Sequence, residues 1–436
     1  MPRSPSHAPL NVVLNGRQVG LLGRRPSGAT EFVYDESWLS WRHAIPVSLS
    51  MPLSDETYRG EVVSAVFENL LPDSRPIRQR VAERVGAEGT DAFSMLEKIG
   101  RDCVGALQFI PVGEEPSGSN GIEGEELSPR AVGALLRGLG QAPLGLDAGG
   151  DFRISVAGAQ EKTALLLHEG RWLKPHGTTP TTHIIKPQIG HVNTAGGVVD
   201  LSNSVENEHY CLTLLEAFGM AVATTQIRRF AGVTALVVER FDRRWTRDGR
   251  LLRIPQEDLC QSLGVPPTRK YQNEGGPGIA AITGVLRGSD RPLLDIAAFY
   301  KAQILFWLIG ATDGHAKNFS IFLKPGGGFE LTPLYDVLTV QPGVDRRQVR
   351  LKQFKLAMAL GANSHYRVRD IHGRHFLETG RAIGLSRAAV ETIFGEIHDE
   401  FEQAFRAAER VLPRAAGHIH ESVRVAAGAR LRLLQA

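Results

Sequence analysis

Asp313-Gly314-His315-Ala316-Lys317-Asn318 sets a carboxylate five residues before a carboxamide, and Asp336 follows eighteen residues after Asn318. That is the layout of a phosphoryl-transfer loop. In such loops one Asp takes the proton from an acceptor hydroxyl, an Asn helps to hold Mg²⁺, and a second Asp reaches the metal from the next hairpin. Taken alone, the loop could equally be a solvent-exposed turn capping a helix. Asp336, placed behind the turn signal Pro325-Gly-Gly-Gly328, weighs against that reading. The apolar run Ile304 to Ile309 just before Asp313 predicts a rigid helix end on which the loop is preorganised.

Transfer of a phosphoryl group also needs a phosphate cradle and a lysine. Thr182-His-Ile-Ile-Lys186 reads as a strand ending in Lys186. On the helix that follows, Glu208 lies four residues before Leu212 and seven before Leu215, hence on the inward face, where an acid wants a cation. Glu206 competes for that role, and the bland alternative is a surface lysine with a solvated helix charge. Ser155-Val-Ala-Gly-Ala-Gln-Glu-Lys162 contains neither GxxxxGK[ST] nor GxGxxG. Its small residues Ala157, Gly158 and Ala159 at a hairpin tip would still let backbone N–H groups approach a triphosphate, although such a stretch can also be a plain turn. Glu239-Arg240-Phe241 closes the last strand of this region, where a nucleotide base could meet backbone groups, or where the strand simply ends in a charged surface turn. The histidines show no HExxH spacing, which argues against a zinc site, and no Ser-His-Asp signature is present.

The elements that must position these residues fall into an α+β, two-lobed order. Leu10 to Leu14, the turn Asn15-Gly16 and Gln18 to Leu22 predict an opening hairpin; Ser64 to Leu71 and Ser74 to Val85 read as helices, and Cys103 to Ile110 as a closing strand. Residues 1–112 are thus expected to form an N-terminal α+β module. The Pro-, Gly-, Ser- and acid-rich stretch after Val112 opens a linker and connecting helix, 113–150. Residues 151–252 are expected to form a β-rich nucleotide lobe, with strands at Phe152 to Val156, Thr163 to Leu167, Thr182 to Lys186, Gln226 to Arg229 and Ala235 to Arg240. A Gly-rich loop from Gly190 to Asp200 and a helix from Ser204 to Phe218 interrupt those strands. Residues 253–436 are expected to form a mainly helical catalytic lobe, with helices at Ile296 to Ile309 and Arg387 to Val411.

With 436 residues, 42% apolar and 22% charged, the chain has the composition of a folded globular protein. No stretch of about 18 uninterrupted apolar residues stands out as a membrane span, and the N-terminus lacks a secretory apolar core, so a cytoplasmic protein without membrane attachment is expected. Cys103, Cys211 and Cys260 are widely spaced and form no CxxC pair, which argues against a zinc site and against a disulfide framework. A net charge of +3 permits contact with nucleic acid without requiring it.

Phe152 to Leu166, Thr178 to Lys186, Val238-Glu-Arg-Phe-Asp-Arg-Arg-Trp245 and Trp307-Leu-Ile-Gly-Ala-Thr-Asp-Gly-His-Ala-Lys-Asn-Phe319, with Phe67-Glu-Asn-Leu-Leu-Pro-Asp-Ser74 and Ile99-Gly-Arg-Asp-Cys-Val-Gly-Ala106, resemble the HipA family of bacterial serine/threonine kinases, the toxins of HipA-HipB toxin-antitoxin pairs. The resemblance runs from about residue 10 to about residue 410. It implies ATP held by Ala157, Gly158, Ala159, Gln160, Glu161 and Lys162, by Lys186, by Glu239, Arg240 and Phe241, by His315, Ala316, Lys317 and Asn318, and by Tyr335 and Asp336. It further implies Asp313 as catalytic base, Asn318 and Asp336 as Mg²⁺ ligands, and Ser155 as an autophosphorylation site whose modified loop swings out and silences the enzyme. The family's best-known member phosphorylates glutamyl-tRNA synthetase, halting growth, while a HipB antitoxin binds kinase and operator DNA together. In the segment where the family contacts DNA, Arg381 is kept but Gly384 stands in place of a second basic residue, so DNA is expected mainly through the antitoxin. Two other readings remain at this stage: a kinase-fold enzyme acting on a small molecule, and a non-catalytic co-repressor.

Overall fold

The computed structural model describes residues 7–114, 121–146, 152–158, 160–194 and 197–434. Its contacts divide the chain into two compact units, one comprising residues up to Pro187 with Arg228–Thr268 and Ile321–Phe329, the other Gln188–Ile227, Arg269–Ser320 and the rest from Glu330.

In the first unit, Asn15 and Gly16 take the positive φ values of 47° and 82° that a tight hairpin demands, and so fold Leu10–Leu14 onto Arg17–Arg24. These strands continue into a five-stranded sheet in the order Tyr58–Arg59, Thr30–Tyr34, Arg17–Arg24, Leu10–Leu14, Leu107–Pro111. Helices Glu61–Glu68, Arg75–Val85 and Ala92–Ile99 accompany it; Ser74 caps the second by accepting from the Ile77 N–H. Phe67 packs between Phe32 and Phe109, with ring centroids 5.9 and 5.5 Å away.

A second sheet of six strands has the order Thr225–Phe230, Val233–Glu239, His183–Pro187, Thr163–His168, Arg171–Pro175, Gly124–Leu127. The N-terminal module meets this region through a buried charge cluster. Asp102 lies 2.8 Å from Arg243, 3.0 Å from Arg253 and 3.3 Å from Arg240, and Asp242 pairs with Arg240 at 2.7 Å and Arg243 at 3.0 Å. Burial alone would raise the Asp102 carboxyl, but the three guanidiniums outweigh it and hold that carboxyl well below its ordinary value.

Phe152 to Val156 differs from the strand expected. Only an isolated bridge joins Ile154 to Asp102, because the Ser155 N–H donates to the Asp102 carbonyl and the Ser155 hydroxyl to the Leu70 carbonyl, so no ladder extends there.

The second unit is mainly helical. Pro292–Ile309 runs through its core, with Tyr300 donating to the Phe376 carbonyl, Trp307 Nε1 donating to the Val368 carbonyl at 2.9 Å, and the Leu308 carbonyl accepting from Arg430 at 2.8 Å. Ser204–Ala217 packs with Arg387–Glu409 and ends at Phe218, whose ring meets Phe405 at 6.4 Å. By length and composition Pro292–Ile309 is apolar enough to cross a membrane, although 67% of it is buried inside the fold; Asp295, Lys301 and Gln303 break the apolar run that a reader of the sequence would look for. Two more differences concern strands. Gly190 to Asp200 is a hairpin, Gly190–Thr194 against Gly197–Leu201, carried by Val192, Val198 and Val199, whose branched side chains favour extended backbone over loop. Lys355–Leu360 pairs with His365–Arg367 inside the region expected to be helical, closing over the turn at Gly361 and Ser364.

Candidate active site

The expected site residues divide between the two units. Within the second, Gly310 takes φ 73° and ends Pro292–Ile309, and Ala311 N donates back to Phe306 O at 2.9 Å, so the chain leaves the helix in a fixed direction. Gly314 lies so close to the Phe306 ring that a Cβ would stand 2.5 Å from it, which is why a glycine follows Asp313. The Asp313 carbonyl accepts from the His315 N–H at 2.8 Å and from Asn318 Nδ2 at 2.8 Å. The loop is therefore tied to itself across five residues, and the bond through Nδ2 turns Asn318 Oδ1 away as an acceptor. The Asp313 side chain is 58% exposed, whereas His315, Ala316 and Lys317 are buried.

Tyr335 brings the second acidic segment to this loop. Its hydroxyl donates to the Lys317 carbonyl at 2.9 Å and lies 2.6 Å from the Ser320 hydroxyl, so a residue on each side of Asn318 in sequence is held by the neighbour of Asp336. Thr332 N donates to Ser320 O at 2.9 Å, and Leu334 exchanges bonds with Ala221 and Ala223, which fixes the approach. Asp336 itself sits at φ 58°, the left-handed region that Asp tolerates better than most residues and that recurs at functional turns. Asn318 and Asp336 supply hard oxygen donors, and no group of three or more His, Cys, Asp or Glu poised for a metal occurs among the described residues. Oxygen donors of this kind are the ones Mg²⁺ takes, alongside waters and substrate phosphates.

In the first unit, Lys186 is buried on His183–Pro187, the third strand of the six-stranded sheet, paired with Leu236. Gln160 donates to the Pro187 carbonyl at 3.0 Å, which joins the Ser155 to Lys162 loop to the end of that strand. Lys162 closes the loop by donating to the Ala157 carbonyl at 2.7 Å. Gly158, at φ 112°, lies under that amine; a Cβ there would come within 2.4 Å of Lys162 Nζ. Ala159 lies outside the described residues. Ser155 is fully buried, and its hydroxyl donates to the Leu70 carbonyl at 2.7 Å. Glu239 is exposed opposite His183, and Phe241 meets Phe322 edge to face at 5.7 Å. Arg240 differs in character from its neighbours, because its guanidinium is wholly engaged by Asp242, Asp102, Thr181 and the Cys103 carbonyl in the buried cluster.

Glu208 and Glu206 are both buried on Ser204–Ala217, and Glu206 accepts from Gln188 Nε2 at 2.7 Å. Arg381 is exposed on Gly373–Ala382, and Gly384 follows at φ 89° as the residue that stops this helix, a conformation a basic side chain would strain. Two features escaped the sequence reading. Tyr271 donates to Asp313, and the segment Leu70 to Asp73 grips the Ser155 loop. The glycines around Tyr271 were the available signal for the first; nothing local marks the second.

An α+β chain with a lysine-bearing sheet in one unit and an Asp–Asn–Asp loop system in a helical other unit has the fold and parts of a kinase. The HipA-like C-terminal domain matches residues 154–405 and the HipA N-terminal domain residues 10–110. The chain belongs to the HipA family of serine/threonine kinases. The serine/threonine-protein kinase toxin HipA of Shewanella oneidensis is 31% identical over 342 residues, covering 75% of this chain and 72% of that one. Y4mE of Sinorhizobium fredii is 34% identical over 379 residues, 86% of each chain. The solved complex of Shewanella oneidensis HipA with HipB and its operator DNA superposes with a TM-score of 0.79 at 24% identity, over 98% of this chain and 97% of that one, a likeness of fold.

Proposed function

We propose that this chain uses ATP and Mg²⁺ to phosphorylate serine or threonine hydroxyls of protein, acting as the toxin of a toxin-antitoxin pair. The observation that carries the reading is the Tyr335 clasp, which ties the segment of Asp336 to the loop of Asp313 and Asn318. In this reading the acceptor hydroxyl gives its proton to the Asp313 carboxylate while its oxygen bonds to the γ-phosphorus. The bond from that phosphorus to the bridging oxygen breaks, and ADP leaves. Asn318 Oδ1 and Asp336 would hold Mg²⁺, whose charge offsets that of the phosphates. Lys186, the Ala157 to Lys162 loop, Glu239 to Phe241 and His315 to Lys317 would bind and orient the nucleotide, with Glu208 as the acid that steadies Lys186. Arg240 serves in this scheme through its backbone position, its side chain being spent on the charge cluster.

Ser155 is the proposed autophosphorylation site, and its burial gives the consequence a mechanism. A phosphate carries roughly −2 charge and three acceptor oxygens, and none of this fits against the Leu70 carbonyl that now receives the hydroxyl. The modified residue must leave its seat and take the Ala157 to Lys162 loop with it, so that Lys162 loses the Ala157 carbonyl and the phosphate cradle comes apart. A HipB-like antitoxin is the proposed partner, supported by the family and by the assembly in which the Shewanella protein was solved. Operator DNA would be reached mainly through it, and a translation protein such as glutamyl-tRNA synthetase is the acceptor to try first. Incubation with labelled ATP and a bacterial lysate tests the reading: label on proteins supports it, and label confined to metabolites replaces it with a small-molecule phosphotransferase.

A further inference from the structure

Tyr271 is 42 residues away from Asp313 in sequence, yet its hydroxyl donates to Asp313 Oδ1. His315 Nε2 stands 3.8 Å from the same oxygen, and the Tyr271 ring meets the His315 ring edge to face at 4.8 Å and 85°. Both neighbours thus address one oxygen of an otherwise exposed carboxylate. We propose that Tyr271 is a positioning residue for the proposed base, fixing Asp313 by Oδ1 so that Oδ2 is presented to the acceptor hydroxyl.

The segment that carries Tyr271 is built to hold it. The Tyr271 carbonyl accepts from the Glu274 N–H at 3.0 Å and the Gly276 N–H at 2.9 Å. Gly276 is needed there, since a Cβ would stand 2.0 Å from the Arg269 carbonyl oxygen and 2.8 Å from that of Tyr271. Gln272 Oε1 accepts from the Ala359 N–H at 2.7 Å, which moors the segment to Lys355–Leu360, and Lys270 Nζ lies 5.7 Å from the Tyr271 ring centroid. A free Asp side chain samples several rotamers; one held by a phenol bonded to a fixed backbone samples far fewer. Orientation of this kind acts on the rate of transfer and leaves nucleotide binding alone.

The proposal rests on the reading of Asp313 as base, and the test separates the two. Phosphate incorporation into the full chain from Mg·ATP is measured for the wild type, Tyr271→Phe, Tyr271→Ala and Asp313→Gln, with thermal melting of each. Tyr271→Phe keeps the ring against His315 and removes only the donor. The expected result is a rate at saturating ATP roughly 10- to 100-fold lower in Tyr271→Phe, with the half-saturating ATP concentration unchanged and Tyr271→Ala no more than a few-fold worse. A wild-type rate in Tyr271→Phe with a lowered one in Tyr271→Ala would reduce the residue to ring packing, and a faster Tyr271→Phe would make the hydroxyl a block; either overturns the proposal. If Asp313→Gln is inactive in those cases, only the role of Tyr271 falls. If Asp313→Gln keeps the wild-type rate, the reading of the base fails and this proposal with it.

Discussion

Asp313, Asn318 and Asp336 could be picked out in the sequence because the first two share one short loop and the third follows a single hairpin. Their spacing survives into the fold as a self-tied turn, with the Asp313 carbonyl receiving two donors. Tyr335 is marked only by the family resemblance and Tyr271 by nothing in the motif, since what each does depends on which carboxylate or carbonyl the fold brings to a phenol. Tyr335→Phe removes the donor to Lys317 and the partner of Ser320, so the Asp336 segment should loosen, with a higher Mg²⁺ concentration for half-maximal rate and a modest loss of stability, about 1 kcal/mol, seen in thermal melts. Glu257 yields a pH dependence. It is buried, with one oxygen accepting from the Leu49 N–H at 2.9 Å, and burial pushes its carboxyl up to about 7. The folded chain therefore holds a proton that the unfolded chain releases above its ordinary value of 4.5, and stability falls as pH rises from there to about 7. Glu257→Gln should flatten that slope in denaturant titrations at pH 5, 6 and 7, removing a penalty of up to about 3 kcal/mol at the upper end; an unchanged slope would contradict the assignment.

Among the elements, those with strong periodicity or a cap were legible and those shaped by distant partners were not. Ser204 to Phe218 and Arg387 to Val411 emerge as Ser204–Ala217, stopped before Gly219 at φ 76°, and Arg387–Glu409, capped by Ser386, because terminal signals are local. Phe152 to Val156 reads as a strand by composition, but the Ser155 N–H is spent on the Asp102 carbonyl and its hydroxyl on the Leu70 carbonyl, residues far earlier in the chain. The same contacts make the Ser155 loop a clamped element. Asp73 N donates to Gly158 O at 3.1 Å, and Arg80 pairs with Glu161 at 2.5 Å. Ser155→Glu places a charge where a hydroxyl is fully buried, so the loop should be expelled and become open to trypsin at Arg153 and Lys162, while Ser155→Ala should stay protected. Gly276→Ala tests a second element. The forced contact with the Arg269 and Tyr271 carbonyls should shift Tyr271 and lower the rate as Tyr271→Phe does, without raising the ATP requirement.

At the scale of the molecule, the N-terminal module and the six-stranded sheet share one core of charge, an arrangement that composition could not disclose, because Asp102 and its three arginines are scattered over 151 positions of sequence. Asp102 and Asp242 are both held below the ordinary carboxylate range, so the folded chain binds fewer protons than the unfolded chain in mild acid. Stability present above 3.8 should be lost as pH falls through and below that value, and Asp102→Asn should cost about 3 to 5 kcal/mol at neutral pH by leaving the arginines uncompensated; tryptophan fluorescence during denaturation measures both. Family membership makes the chain a serine/threonine kinase, and the proposed chemistry places its base at Asp313. The most direct measurement is mass spectrometry of the chain and of a candidate acceptor protein after incubation with Mg·ATP, for the wild type and Asp313→Gln side by side. The account predicts phosphoserine or phosphothreonine from the wild type, including at Ser155, and none from Asp313→Gln; equal phosphorylation by the two proteins would contradict it.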